Sequence, residues 1–214
     1  LIKFKTLPLL TSTFFIGSLA VSFSAMAEDV KQQLMAKLEV VGGFSANFTQ
    51  VVSDADGNEL QQQSGVLKVR RPNLIYWETL EPDETLVVSD GETLWFYNPF
   101  VEQVSAFNVS NAVANTPILL LSDTDESLWQ DYKVTAKSGS DEGSYYSIAS
   151  LDENAQVKTL DLSFNGDQLT SFTIEDATGQ FSKFNLSDVS SDPLPEKEQF
   201  NFTLPEGVDF DDQR

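Results

Sequence analysis

Cysteine and histidine are both absent from the 214 residues. Their absence removes disulfides, thiol nucleophiles, His-ligated metals, Cys–His dyads and Ser-His-Asp triads together. An enzyme built on this chain would have only carboxylates, Lys, Tyr and Ser to work with. Positive charge is also scarce, with 13 Lys and Arg against 33 Asp and Glu and a formal net charge of −20. A field of that sign repels phosphate backbones and anionic membrane surfaces, which excludes nucleic acid as a partner and favours solubility. There is no Gly-x-Ser-x-Gly elbow, no phosphate-binding Gly-rich loop with Lys and no dinucleotide fingerprint. Because 33 carboxylates pair up by chance, no acid/base dyad stands out either. The expectation is a protein that is not an enzyme and needs neither a cofactor nor a metal.

Long apolar runs are missing except at the N-terminus. Lys3 and Lys5 precede a largely apolar stretch over 7–23, which ends at Ala25-Met26-Ala27, the small-x-small pattern of a secretory cleavage site. Residues 1–27 are therefore read as a cleaved signal peptide and 28–214 as a single domain. No other run approaches the ~18 apolar residues of a membrane span. Losing Lys3 and Lys5 moves the charge from −20 to −22. The mature chain would open on Glu28, not Cys, and so would carry no lipid anchor. The expected address is the periplasm of a Gram-negative bacterium.

Over 29–41, Val30, Leu34, Leu38 and Val41 recur at helical spacing, with Gly42-Gly43 as the stop. The period then becomes two, and turns at Asp56-Gly57, Asp90-Gly91, Asn165-Gly166 and Thr178-Gly179 separate runs rich in Val, Thr, Ile, Phe and Tyr. Strands are predicted at 44–53, 59–70, 74–79, 84–89, 93–98, 102–108, 132–137, 144–150, 156–164, 169–176, 181–189 and 199–203. A mainly β fold follows, a large antiparallel barrel or a strongly curved sheet of about 11–12 strands. The rhythm breaks at 111–130. There Asn115-Thr116-Pro117 leads into the apolar tetrad 118–121, placed to begin a helix, and 125–130 adds another turn. Two short helical segments, one N-terminal and one in mid-chain, thus accompany a sheet long enough to curl around them. Asp192-Pro193-Leu194-Pro195 reads as a stiff surface connection.

The acidic stretch 54–59 lacks the ligand spacing of a calcium loop and reads as a hairpin turn. The carboxylates near 123–126 and 209–212 read as solvated loops. Leu94-Trp95-Phe96-Tyr97 puts bulk on both faces of one strand, which requires cover on both sides or a cavity on one. Alternation places Leu67, Val69 and Arg71 on one face and Lys68 and Arg70 on the other. An inward Arg71 needs several acceptors, and the orphan carbonyls at helix ends are candidates. Leu38, Leu67, Val69, Ile75, Trp77, Ile118, Leu119 and Leu121 are expected to line one apolar space between sheet and helices.

The chain resembles the LolA family of outer-membrane lipoprotein carriers. The resemblance rests on 44–50 (FSANFTQ), 71–77 (RPNLIYW), 82–84 (PDE), 88–91 (VSDG), 93–103 (TLWFYNPFVEQ), 115–117 (NTP) and 207–214 (GVDFDDQR). It spans nearly all of 28–214, although 132–195 matches only in strand pattern. Ile75 and Ile118 stand where the family has aromatics. The resemblance implies an unclosed barrel of antiparallel strands with a short-helix lid, whose apolar interior takes the acyl chains of lipoproteins. It also implies a latch at Arg71 acting on carbonyls near Leu38, Leu121 and Ser122. Its implied partners are acylated lipoproteins, an inner-membrane lipoprotein-releasing ABC transporter that loads a monomeric carrier, and an outer-membrane receptor that unloads it. A periplasmic β-domain that senses or binds other lipids is the alternative.

Overall fold

The computed structural model describes residues 22–112, 116–123, 126–138 and 143–214. Residues 1–21 lie outside it, and the signal-peptide expectation falls mostly there. Helix α1 covers Ser22–Val41. Strands follow at β1 (Gly43–Ser53), β2 (Glu59–Arg70), β3 (Leu74–Thr79), β4 (Thr85–Asp90), β5 (Thr93–Asn98) and β6 (Gln103–Asn108). A one-turn helix α2 (Val109–Ala112) and two 3-10 turns, Pro117–Leu121 and Leu128–Asp131, come next. The remaining strands are β7 (Tyr132–Ser138), β8 (Gly143–Ser150), β9 (Val157–Asn165), β10 (Gln168–Asp176), β11 (Phe181–Ser190) and β12 (Asp209–Asp212).

All twelve strands form one sheet in the order β12-β6-β5-β4-β3-β2-β1-β11-β10-β9-β8-β7. Among the described residues its edge strands, β12 and β7, do not pair, so the barrel is unclosed. The pairings are antiparallel except for β12, which returns parallel to β6. The four expected turns are present, each glycine in the left-handed region.

Two predicted segments are corrected. Residues 199–203 are not a strand, because Lys197–Phe200 forms a 3-10 turn whose Phe200 is buried against β3 and β4. The last strand is β12, ten residues later. The tetrad 118–121 is helical but wound as a 3-10 turn, with the Ser122 N–H bonded to the Leu119 carbonyl at 3.0 Å.

Alternation gives the sheet two working faces. The inner face packs against α1 and the Pro117–Leu121 turn in one apolar cluster that includes Leu34, Leu38, Phe44, Leu67, Val69 and Ile75. Helix α1 is held over the β7–β11 half by two cations. Lys31 Nζ donates to the Trp129 carbonyl at 2.9 Å, and Lys37 pairs with Asp167 at 3.1 Å. On the outer face of β3–β6, Leu74, Val88, Val104 and Ala106 are buried beneath the C-terminal segment. There Phe202 and Phe210 lie against Trp95 at ring-centroid distances of 5.1 and 6.1 Å. Strand β5 is thus covered on its outer side by its own chain's terminus, while its inner residues Leu94 and Phe96 face a cavity.

Candidate functional site: an apolar cavity and its lid

Register builds the cavity. Reading across the inner face, Leu67 pairs with Trp77, Trp77 with Val87, Val87 with Phe96, and Phe96 with Ser105. From Trp77 onward this row is the floor of a cavity of about 560 Å³, joined by Leu94, Phe107 and Ala112. Apart from Ser105 the floor is apolar, and the ends are polar. Gln50, Gln63, Thr79 and Thr85 stand at one end, and Asn108, Asn111 and Thr116 beside α2 at the other, with Gln213 of the C-terminus also on the wall. Such a space accepts an aliphatic chain along its length and neutral hydrogen-bonding groups at its ends.

Of the eight residues predicted to line one apolar space, Trp77 alone lines this open cavity. Leu38, Leu67, Val69, Ile75, Ile118, Leu119 and Leu121 are buried in the adjoining cluster, and Trp77 packs against that cluster. All eight therefore meet on one face, but seven are closely packed against the lid. Trp77 is the partition between the two parts. Its ring meets Phe48, Phe172 and Phe184 edge-on at 5.8, 6.0 and 5.0 Å, and Phe172 stacks on Phe184 at 4.4 Å. These contacts fix the indole and keep the packed side dry.

Sequence reasoning passed over Thr85, Val87, Ser105, Asn108, Asn111 and Gln213. The first three carried a usable signal, since period-two alternation in β4 and β6 continues the Trp77 row. Asn108, Asn111 and Gln213 carried none.

The lid is tied to the β2–β3 turn. Arg71 Nη2 donates to the backbone carbonyl of Asp123, one residue beyond Ser122. The Arg71 N–H donates to the Gly42 carbonyl at 2.9 Å, and the Asn73 N–H to the Ser122 carbonyl at 2.9 Å. The Leu38 carbonyl accepts the Gly42 N–H at 3.2 Å, closing α1. A single turn, 71–73, thus binds the end of α1 and the end of the Pro117–Leu121 turn. Burial pulls the Arg71 guanidinium below its ordinary pKa, with Glu39 and Asp123 opposing that shift. Arg71 Nε is buried without a hydrogen-bond partner among the described residues. The side chain is therefore held and incompletely satisfied, as befits a contact that can break. Arg70 points the other way, its Nη1 donating to the Pro195 carbonyl at 2.6 Å.

The family profile described as "Outer membrane lipoprotein carrier protein LolA" matches residues 39–203. An outer-membrane lipoprotein carrier protein of Aeromonas salmonicida is 40% identical over 201 residues, covering 93% of this chain and 97% of that protein. The protein of the same name from Shewanella sediminis is 42% identical over 181 residues, covering 85% of each. Among solved structures, a LolA superfamily protein from Nitrosomonas europaea is similar with a TM-score of 0.45 and 15% identity, covering 80% of this chain and 97% of that one. The chain belongs to the LolA family of outer-membrane lipoprotein carrier proteins.

Proposed function

We propose that the chain is a periplasmic, non-enzymatic carrier that shields the acyl chains of lipoproteins. It takes them from an inner-membrane ABC transporter and gives them up to an outer-membrane receptor, acting as a monomer after removal of residues 1–27. The observation that carries this reading is the apolar cavity on the inner face of β3–β6, continuous through Trp77 with a lid-covered extension of the same face. A triacyl anchor has on the order of 45 methylenes, each worth ~0.8 kcal/mol out of water, so bare transit would cost tens of kcal/mol. The open cavity, about 560 Å³, has the size of a site for one small ligand. Loading three chains therefore requires the lid to rise, which turns Leu38, Leu67, Val69, Ile75, Ile118, Leu119 and Leu121 from packed core into lining. Arg71 serves as the latch, because its bond to the Asp123 carbonyl must break for the Pro117–Leu121 turn to move. The chain has no nucleotide-binding motif, so the transporter supplies the energy of extraction.

The test is expression in a Gram-negative host followed by mass spectrometry of the purified periplasmic protein. Copurifying triacylated lipoprotein and an N-terminus at Glu28 are expected. Copurifying free phospholipid in place of lipoprotein would identify a lipid-binding or lipid-sensing domain instead.

A further inference from the structure

One end of the cavity carries two matched pairs of neutral polar side chains. Gln50 of β1 pairs with Gln63 of β2, and Thr79 of β3 with Thr85 of β4, and all four line the cavity. Among the described residues none of these four side chains makes a hydrogen bond within the chain. Other glutamines close by are already engaged, Gln61 Nε2 donating to Asp83 at 2.7 Å and Gln213 Nε2 to Asp211. Thr79 is only 6% exposed, so bulk water reaches little of it. A hydroxyl buried to that extent without a protein partner takes its hydrogen bond from whatever fills the cavity.

Charge decides what can fill it. Among the described residues none that lines the cavity is charged, and Val113-Ala114-Asn115, which join Ala112 to Thr116 in sequence, add no charge. A carboxylate stands beside the wall, since Asp211 is half-buried and pairs with Ser105. An anionic group entering here sheds its water, finds no cation and meets a like charge. An ester or amide carbonyl needs no cation. Its oxygen accepts hydrogen bonds, and two primary amides and two hydroxyls are there to donate them.

We infer that Gln50, Gln63, Thr79 and Thr85 form a subsite for the uncharged ester or amide linkage of an acyl chain lying on the β3–β6 floor. Through it the protein selects acyl esters and amides over fatty-acid carboxylates. This rests on the carrier reading given above and adds a division of labour to it. The apolar floor supplies affinity for any long chain, and the four polar side chains supply the choice among chains by what terminates them. A free fatty acid, equally apolar along its tail, is refused at its head.

The test uses the whole mature chain and three fluorescent probes that share one polyene tail: a methyl ester, the free acid, and a hydrocarbon with neither group. At neutral pH the acid is an anion, and wild type is expected to bind the ester roughly tenfold or more tightly than the acid. Thr79→Val/Gln63→Met keeps the bulk of both side chains and removes their donors. It is expected to weaken the ester roughly fivefold to tenfold and to leave the hydrocarbon at its wild-type affinity. Gln63→Lys places a cation at the subsite and should raise affinity for the acid about tenfold. Equal binding of acid and ester by wild type overturns the subsite. So does a double variant that binds the ester as tightly as wild type, or that loses ester and hydrocarbon alike. Copurification of lipoprotein from the periplasm is measured in parallel. A chain that selects the ester but brings no lipoprotein refutes the carrier reading while the subsite stands, and a chain that binds none of the three probes refutes both.

Discussion

The Arg71 guanidinium donates to the backbone carbonyl of Asp123 and so joins the β2–β3 turn to the end of the Pro117–Leu121 turn. A charge-assisted bond of this kind is worth roughly 1.5–3 kcal/mol, and burial of a guanidinium with Nε unpaired offsets part of it. A net bias of about 1–2 kcal/mol towards the closed lid remains, a factor of roughly ten in the closing equilibrium. Arg71→Leu removes that bias and adds apolar surface beside the cargo. It should load with lipoprotein normally and release it to the receptor about tenfold more slowly. Equal release by Arg71→Leu and wild type would remove the latch from the mechanism. Arg70→Leu instead loses a bond to the Pro195 carbonyl on the outer face. It should lower stability by roughly 1–2 kcal/mol in urea unfolding and leave release unchanged.

Gly65 in β2 faces Phe48 in β1 and Thr79 in β3. A Cβ at this position would press on the Glu78 carbonyl oxygen and lie 2.5 Å from Phe48 Cζ. The Phe48 ring also braces Trp77 and Phe184, so it has little freedom to retreat. Gly65→Ala should cost about 3 kcal/mol, at the upper end for overpacking, because both a backbone oxygen and a fully buried ring must give way. Chemical denaturation checks the size. Quenching of the Trp77 near-UV signal should accompany it, since the indole is held by the ring that moves.

Eleven of the strands were legible because their signals are local. Turns such as Asp56-Gly57 and Asn165-Gly166 close four of the hairpins, and alternation as in Leu67, Val69 and Ile75 assigns the inner face. Strand β12 was not legible. Its sequence, Asp209-Phe210-Asp211-Asp212, is too acidic to suggest a strand, and it exists through pairing with β6, more than a hundred residues earlier. The gap between predicted lining and open cavity has a similar origin. Alternation correctly gathers Leu67, Val69, Ile75 and Trp77 on one face. How much of that face the lid covers depends on where α1 comes to rest, and Lys31 and Lys37 hold it through partners 98 and 130 residues away.

The C-terminus gives a prediction about pH. Arg214 Nη2 donates to Asp212 at 2.7 Å, and its guanidinium lies 5.3 Å from the Trp95 ring. Hydrogen bonds from the Arg214 side chain and backbone lower the Asp212 pKa from 3.8 to about 2. A carboxylate depressed in the folded state stabilises it fully above the unfolded value and loses that effect as pH falls through the folded one. The pairing should therefore persist at neutral pH and vanish between 3.8 and about 2. Side-chain carboxyl NMR should place the Asp212 midpoint near 2, and Arg214→Gln should return it towards 3.8. A midpoint of 3.8 in the wild type would mean that the terminal pair does not form in solution.

The division of the inner face at Trp77 makes two substitutions of similar chemistry behave oppositely. Val87 is half-buried on the floor of the open cavity, whereas Leu67, beside Trp77 on the other side, is fully buried in the packed cluster. A larger side chain at Val87 grows into existing space and meets little resistance. Val87→Trp should leave the unfolding midpoint within a few degrees of wild type. It should still reduce uptake of a fluorescent long-chain acyl probe by about tenfold, because the indole occupies the volume that the chain would fill. Leu67→Ala removes methyl groups from close packing instead and should cost roughly 2–5 kcal/mol of stability. In that variant the hole lies behind the Trp77 partition, so probe affinity should change less than in Val87→Trp even though the protein is less stable. Probe titration and thermal unfolding of the two variants together check the partition. If Val87→Trp binds the probe as tightly as wild type, acyl chains do not enter along the β3–β6 floor.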